Sequence, residues 1–482
     1  MSGNRDTSGS FVNIGTNGNF WSSVESGTNA WRRNLNSGNA TVNRNTNDKA
    51  NGFSVRCLKD WKISFLSLRV KRNNLVAIVY LAVVKKYPSY MIYGILIKDL
   101  FRAYYDARRN KQSKLSVVAF ELEYESELIR LGKELVDGTY AVGQSNCFMV
   151  FKPSRREIFA ANFRDRVVQH LIFNYINPIF DPKFINDSYS CRVGKGTSAG
   201  IKRCDHFIRS CSQNYSQDCF ILKMDLRGYF MAINKEILYK ELEKGIVEDK
   251  NYRRYDKKWL LSLIRLVVFH DPTKNCKIKN KKEDWVGLPK NKSLFFSGKD
   301  RGLPIGNLTS QLFANIYLNG FDHYVKEVLK CKYYGRYVDD IIIVNTDKKR
   351  LVTLIPIIKN YLQNNLMLEL HPKKIYLQHY KRGVTFLGAV IKPYRKYILN
   401  RTKGNFITKI KQWNKLLKLS GNRLEEDELK KFLCSTNSYL GLMAQFSTFK
   451  LRKKILTKYL APEFDKYMIC AVDCGKIMLT KR

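Results

Sequence analysis

Tyr337-Val338-Asp339-Asp340, set between Lys332-Tyr333-Tyr334-Gly335-Arg336 and Ile341-Ile342-Ile343-Val344, is the stretch that decides how the rest of the chain is read. β-Branched and aromatic residues on both sides favour strands, so the two carboxylates fall at the turn of a hairpin and face a cleft. Asp-Asp in a tight turn is also ordinary solvated-loop chemistry, and the turn alone does not choose between the two. A third carboxylate does. Ile221-Leu222-Lys223-Met224-Asp225 is an apolar run that ends in an acid, followed by Leu226-Arg227-Gly228-Tyr229-Phe230 and a helix-patterned stretch from Asn234 to Lys244. One Asp at a strand end and a pair at a later hairpin are what two divalent cations need to bridge a triphosphate and a 3′-hydroxyl. Mg²⁺ takes few protein carboxylates and leaves its other positions to phosphate and water. Two such ions, about 3.5–4 Å apart, stabilise both the attacking and the leaving oxygen of an in-line displacement.

Between these elements lies Arg301-Gly302-Leu303-Pro304-Ile305-Gly306-Asn307-Leu308-Thr309-Ser310-Gln311, a Gly/Pro-rich turn running into the helix-like Leu312 to Leu318. Glycines let backbone approach a ligand closely, and helix N-terminal amides suit phosphates or bases.

These three segments, in this order, resemble the central palm motifs of a reverse transcriptase. The resemblance extends over roughly residues 91 to 400 in six ordered motifs. Phe151 to Gly200 resembles the fingers, through Lys152-Pro153-Ser154-Arg155-Arg156-Glu157-Ile158, Phe163 to His170, Asp187 to Arg192 and Gly194 to Thr197. Leu368-Glu369-Leu370-His371-Pro372-Lys373-Lys374 resembles the lysine motif that trails the palm, and Gly383 to Gly388 the primer-grip hairpin. The family implies an α+β right-hand polymerase, with an RRM-like antiparallel palm sheet and a helical thumb.

The same resemblance implies roles. Asp225, Asp339 and Asp340 are the catalytic acids and, with Leu226, the metal-binding set for two Mg²⁺ ions, with Mn²⁺ as a substitute. Phe230 is the bulky residue that stacks under the sugar and selects deoxynucleotides. Lys152, Arg155 and Arg156 are candidates to hold the incoming triphosphate, since fork-shaped guanidiniums suit phosphate oxygens. Lys373 or Lys374 protonates the leaving pyrophosphate, and Lys373 is taken as the catalytic one. Many members carry a Gln after the Leu-Pro of the palm loop; here Ile305 stands in that place, followed by Gly306 and, later, Gln311. An apolar residue cannot hydrogen-bond a nascent base pair, so discrimination falls. The Ile-Gly-Asn-x-x-Ser-Gln pattern resembles the enzymes of diversity-generating retroelements, which misincorporate opposite template adenines. Template RNA, RNA/DNA hybrid, dNTPs and a small basic oligomeric accessory protein are the implied partners.

Residues 1 to 60 contain twelve Asn, with Gly18-Asn19-Phe20-Trp21-Ser22-Ser23 and a closing Gly52-Phe53-Ser54-Val55-Arg56-Cys57. This resembles the end of a C-type-lectin-like variable domain or its translated template repeat. Composition by itself favours a disordered linker, and the Trp21-Ser22-Ser23 and Gly52 to Cys57 pieces are what tip the reading toward a lectin-like origin. The organisation expected is therefore this segment at 1–60, a linker or read-through at 61–90, N-terminal helices and fingers at 91–215, palm at 216–395 and thumb at 396–482, the last patterned by Ile407, Ile410, Trp413, Leu416 and Leu417 at helical spacing. Met91 opens the polymerase-like part and is a plausible original initiator.

Composition narrows the class further. The net charge is +43, and residues 1 to 60, with 7 basic and 4 acidic side chains, supply only +3 of it. The remaining +40 calls for a polyanion partner and salt-dependent binding. Leu75 to Val84 is apolar, but ten residues fall short of the about 20 that span a bilayer, so no membrane association is expected. The eleven Cys lack Cys-x-x-Cys spacing and read as reduced thiols of a cytoplasmic protein. Two other readings are a retron-like or defence-associated bacterial reverse transcriptase, and a non-enzymatic basic nucleic-acid-binding scaffold.

Overall fold

The computed structural model describes the backbone of residues 2–5, 11–14, 17–26, 29–36 and 42–48, and residues 88–480 apart from 152–153 and 251–255. The apolar run Leu75 to Val84 and Lys152 lie outside the described residues. The chain divides into two compact units, Met1–Leu81 and Ala82–Arg482.

In the first unit five strands, Ser2–Arg5, Phe11–Ile14, Asn17–Ser26, Asn29–Asn36 and Val42–Asp48, form one sheet. Asn17–Ser26 and Asn29–Asn36 make an antiparallel hairpin in which Ser26 pairs with Asn29, and Val42–Asp48 adds to it in register from Leu35↔Val42 to Asn29↔Asp48. Asn is a poor strand former, and here backbone pairing along neighbouring strands overrides that preference.

The second unit is a mixed α/β assembly built around a four-stranded antiparallel sheet. Its spatial order is Tyr333–Tyr337, Asp340–Asn345, Phe220–Asp225, Tyr376–His379. Side chains alternate across a strand, and here both faces are covered. Leu222, Met224, Ile341 and Ile343 enter a core shared with the helices Phe163–Phe180, Lys235–Val247, Leu308–Tyr317 and Lys348–Leu366. Ile221, Ile342 and Val344 enter a second core with Phe207, Phe386, Phe406 and Trp413. Burial on both faces explains why Ile341 to Val344 is a continuous apolar run rather than an alternating one.

Elements on either side frame this sheet. Ser145–Val150 pairs antiparallel with Arg156–Ala160 and parallel with Cys276–Ile278. The helix Phe163–Phe180 starts where the Asn162 side chain accepts from the Asp165 amide at 2.8 Å, a cap of the kind that satisfies an otherwise unpaired helix-end donor. After the sheet, a three-stranded meander of Val384–Phe386, Ala389–Lys392 and Arg395–Ile398 leads into three helices, Asn400–Leu419, Glu426–Ala444 and Phe449–Tyr459. Phe406, Ile410, Trp413 and Leu417 are the buried positions of the first of these at helical spacing; of the expected stripe, Ile407 and Leu416 are only half-buried, and Phe406 takes the inward position instead. No helix among the described residues is long and apolar enough to cross a membrane.

Candidate active site

The hairpin turn is as short as it can be. Tyr337 pairs with Asp340, leaving Val338 and Asp339 as the two turn residues. Val338 has φ 54°, a left-handed conformation in which a β-branched side chain crowds its own backbone. Such a residue costs on the order of 1–3 kcal/mol and persists only where the surroundings over-determine it. Those surroundings are identifiable. The Val338 carbonyl accepts from Arg336 Nη1 at 3.1 Å. Arg336 is wholly buried and paired with the equally buried Asp322, with Nη2 to Oδ2 at 2.6 Å. Tyr334 Oη donates to the same carboxylate, and Arg336 Nη2 also reaches Ser188 Oγ at 3.3 Å. The backbone on either side is clamped as well, with the Arg336 amide donating to the Asp187 carbonyl and the Tyr189 amide to the Arg336 carbonyl.

Register then brings the acids together. Asp340 stands directly opposite Asp225, and the Leu226 amide donates to the Asp339 carbonyl at 3.3 Å. Like charges set opposite one another on a sheet are unfavourable, and two lysines answer them. Lys374 Nζ lies 3.0 Å from Asp225 Oδ2, and Lys223 Nζ lies 3.2 Å from Asp340 Oδ1. Among the described residues Asp339 has no such ion-pair partner. Burial, and after it the charges of Asp225 and Asp340, pushes its carboxyl up to about 6.

Among the described residues no three His, Cys, Asp or Glu side chains are gathered closely enough to hold a metal ion by themselves. The carboxylates of Asp225 and Asp340 are turned to lysines. The donor set nevertheless suits a hard cation that arrives with a phosphate ligand, because it offers oxygen donors in excess of its counter-charge, and Mg²⁺ needs only one or two protein carboxylates under those conditions. Leu226 can add only its backbone carbonyl, since its side chain is 1% exposed in the core.

The other residues expected of the site are placed as follows. Phe230 is half-buried, its carbonyl accepting from the Leu303 amide at 2.8 Å. It packs with Ile305 against the buried Cys147, Phe159, Met231 and Leu294. The Ile305 carbonyl accepts from the Phe159 amide at 2.9 Å, which ties the palm-type loop to the strand Arg156–Ala160. Gly306 sits at φ 123°, and a Cβ there would come 2.8 Å from Ile158 Cγ2, so only glycine fits. Arg156 is exposed and near enough for its charge to be felt at Tyr337. Arg155 is engaged through Nη1 with the Val286 carbonyl. Gln311 is exposed on the helix Leu308–Tyr317, and Lys373 is exposed beside His371, whose Nδ1 accepts from its amide. Lys374, not Lys373, is the lysine that reaches Asp225. Lys223, Arg336 and Asp322 were not expected. Lys223 shares a strand face with Asp225 at an i,i+2 spacing, a signal present in the sequence; the Arg336–Asp322 pair is invisible without the fold.

The reverse transcriptase (RNA-dependent DNA polymerase) family model matches residues 151–391, half of the chain, and the matched span contains both the three acids and the loop just described. The chain belongs to the reverse transcriptase family. Protein YkfC of Escherichia coli is 24% identical over 296 residues, covering 54% of this chain and 70% of that protein. The putative COX1/OXI3 intron 2 protein of Saccharomyces cerevisiae is 25% identical over 292 residues, 52% of this chain and 33% of the yeast protein, so the chain spans about a third of that relative. Nuclear intron maturase 4, mitochondrial, of Arabidopsis thaliana is 25% identical over 194 residues, 40% of this chain and 20% of its own length. Among solved structures, telomerase from Candida albicans in complex with a fragment of telomeric RNA gives a TM-score of 0.41 at 13% identity, over 66% of this chain and 57% of that one.

Proposed function

We propose that this polymerase copies a template-repeat RNA into cDNA with frequent misincorporation opposite adenine, in the manner of diversity-generating retroelements. The observation that carries the chemistry is the register that sets Asp225 opposite Asp340 at the end of the sheet, with Asp339 in the turn. Asp225 and Asp339, assisted by Asp340 and the Leu226 carbonyl, would hold two Mg²⁺ ions, or Mn²⁺ in their place. Those ions supply Lewis-acid polarisation of the primer 3′-hydroxyl and the triphosphate. The chain's own residues do the positioning. Arg156, exposed and close enough for its charge to be felt at Tyr337, steers the triphosphate. Phe230, braced through its carbonyl by Leu303, forms the floor under the sugar and leaves no room for a 2′-hydroxyl. Lys374 already carries its ammonium at Asp225 and is the better-situated donor of a proton to the departing pyrophosphate.

Fidelity is read from Ile305. Its carbonyl is occupied by Phe159 and its side chain has no polar atom, so a mispaired base meets no lost hydrogen bond there. The Asn-rich first unit supports the retroelement assignment as the translated copy of a template repeat, with adenine-rich Asn codons, resembling the end of a lectin-like variable domain. The basic surface supports template RNA and hybrid as partners, with dNTPs as substrates and a small basic oligomeric accessory protein beside them. A second reading, an intron-associated enzyme, is favoured by the names of the yeast and Arabidopsis relatives.

Primer extension on an RNA template with Mg²⁺, followed by sequencing of the cDNA, separates these. Errors concentrated opposite adenine support the retroelement reading. Faithful products would remove it and favour the second. An Asp339→Ala, Asp340→Ala double variant should make no product.

A further inference from the structure

Residues 274–301 join the helix Lys257–Phe269 to the Gly302–Gln311 loop and carry nine Lys or Arg against three acids, a net of +6 over 28 residues. A charge run of this kind is usually a solvated loop. Three observations separate this one from that case. First, the segment is anchored. Glu157, 0% exposed, accepts from Trp285 Nε1 at 2.7 Å, Ser293 Oγ at 2.8 Å and the Leu294 amide at 2.6 Å. A carboxylate is buried only where it is this fully hydrogen-bonded. The strand Cys276–Ile278 joins the neighbouring sheet, and the Asn291 carbonyl packs so closely on Gly228 that a Cβ there would collide with it. The segment is thus held three residues from Asp225.

Second, its cations are unspent. Lys277, Lys279, Lys290, Lys292 and Lys299 are exposed, and none forms an ion pair among the described residues. Third, aromatic rings lie among them. Phe296 is 62% exposed and Phe295 39%, the latter tilted against Phe159 at 5.4 Å between ring centroids. Lys290 Nζ lies 5.6 Å from the Phe296 centroid, so a cation sits over a ring that is itself largely exposed.

We infer that this segment is a docking track for unpaired template nucleic acid beside the active site, with a base stacking on Phe296 and neighbouring phosphates held by Lys290 and Lys292. Cations that follow a backbone, with an aromatic platform between them, are the arrangement that takes single strands. Stacking needs an unpaired base, so the track selects the strand before it enters the hybrid. The inference rests on the family membership and not on the fidelity reading.

The full chain is titrated against a short labelled single-stranded RNA and against a blunt RNA/DNA hybrid, by fluorescence anisotropy over a range of salt. Phe296→Ala should weaken single-strand binding by roughly 5- to 100-fold, leave hybrid binding within about twofold, and be rescued by Phe296→Trp. The pair Lys290→Gln and Lys292→Gln should reduce the salt slope for the single strand by about 1.4, and Phe296→Ala should not change it. Equal losses for single strand and hybrid, or no loss for either, would overturn the assignment. So would lysine variants that lose binding to anionic phospholipid vesicles while keeping their RNA slope, which would make the segment a membrane contact. All three positions are exposed, and unchanged thermal unfolding confirms that each variant is folded when titrated. The assay reads binding, so a failed track is distinguished from a failed polymerase by the hybrid arm.

Discussion

Asp339→Asn should make the metal-free protein more stable while destroying its activity. In the folded chain burial, and after it the charges of Asp225 and Asp340, push the Asp339 carboxyl up to about 6, against 3.8 for an unperturbed Asp. Each pKa unit is about 1.4 kcal/mol, so the ionised carboxylate costs the fold about 3 kcal/mol at neutral pH. Solvent reaches this partly exposed group and screens part of that, leaving roughly 1–2 kcal/mol. The direction with pH is fixed. Between the unfolded and folded values the native state binds more protons than the unfolded chain, so stability falls as pH rises through about 4 to 6 and the full cost stands above that window. Asparagine carries no charge and escapes the cost. Thermal unfolding in chelator should therefore show the variant higher by on the order of a few degrees at pH 7.5, with the difference vanishing near pH 4. Mg²⁺ should stabilise the unaltered protein and have much less effect on the variant. An Asn variant no more stable than the parent at pH 7.5, or equally stabilised at pH 4, would refute the claim that burial and the Asp225 and Asp340 charges load Asp339.

Other consequences follow from the same geometry. Lys374→Ala should lower the single-turnover rate on a preformed primer–template far more than Lys373→Ala, and should cost no more than about 1 kcal/mol in stability because its side chain is 42% exposed; the reverse ranking of rates would return the role to Lys373. Asp322→Ala leaves Arg336 buried without its counter-charge and should destabilise the fold by about 3–5 kcal/mol in urea, whereas replacing both with apolar residues of similar volume should recover most of that. Ile305→Gln should reduce errors opposite template adenine more than opposite other bases when cDNA is sequenced, and an unchanged spectrum would remove Ile305 from the account of fidelity.

The acid pair, its hairpin and the third carboxylate were legible because each rests on local rules: β-branched runs make strands, and the two-residue turn between them holds Asp339, while Asp340, expected in the turn as well, is the first residue of the returning strand. The helices after Asp225 and after the palm loop were legible from their periodicity, with Asn234 capping the Lys235–Val247 helix. What sequence did not disclose depends on partners far along the chain. Lys374 meets Asp225 across 149 residues, and Glu157 meets Ser293 and Leu294 across 136 and 137. Arg155 was read as a phosphate ligand because an exposed guanidinium suits phosphate; that its guanidinium is held by the Val286 carbonyl depends on how a distant segment folds back.

The buried Arg336–Asp322 pair explains how the strained turn can exist at all. Three acids at the end of the two central strands repel one another, and Val338 in a left-handed conformation adds strain, so the hairpin tip would relax if only its own hydrogen bonds held it. A wholly buried ion pair gives little net stability, but it is rigid, because any displacement leaves an uncompensated charge in the core. By donating to the Val338 carbonyl, Arg336 couples that rigidity to the turn. The cost of crowding the carboxylates is thus offset below them, in the buried Arg336–Asp322 pair. The tip is left free to present Asp339 as a group short of counter-charge, which is the condition under which it gains most from a cation.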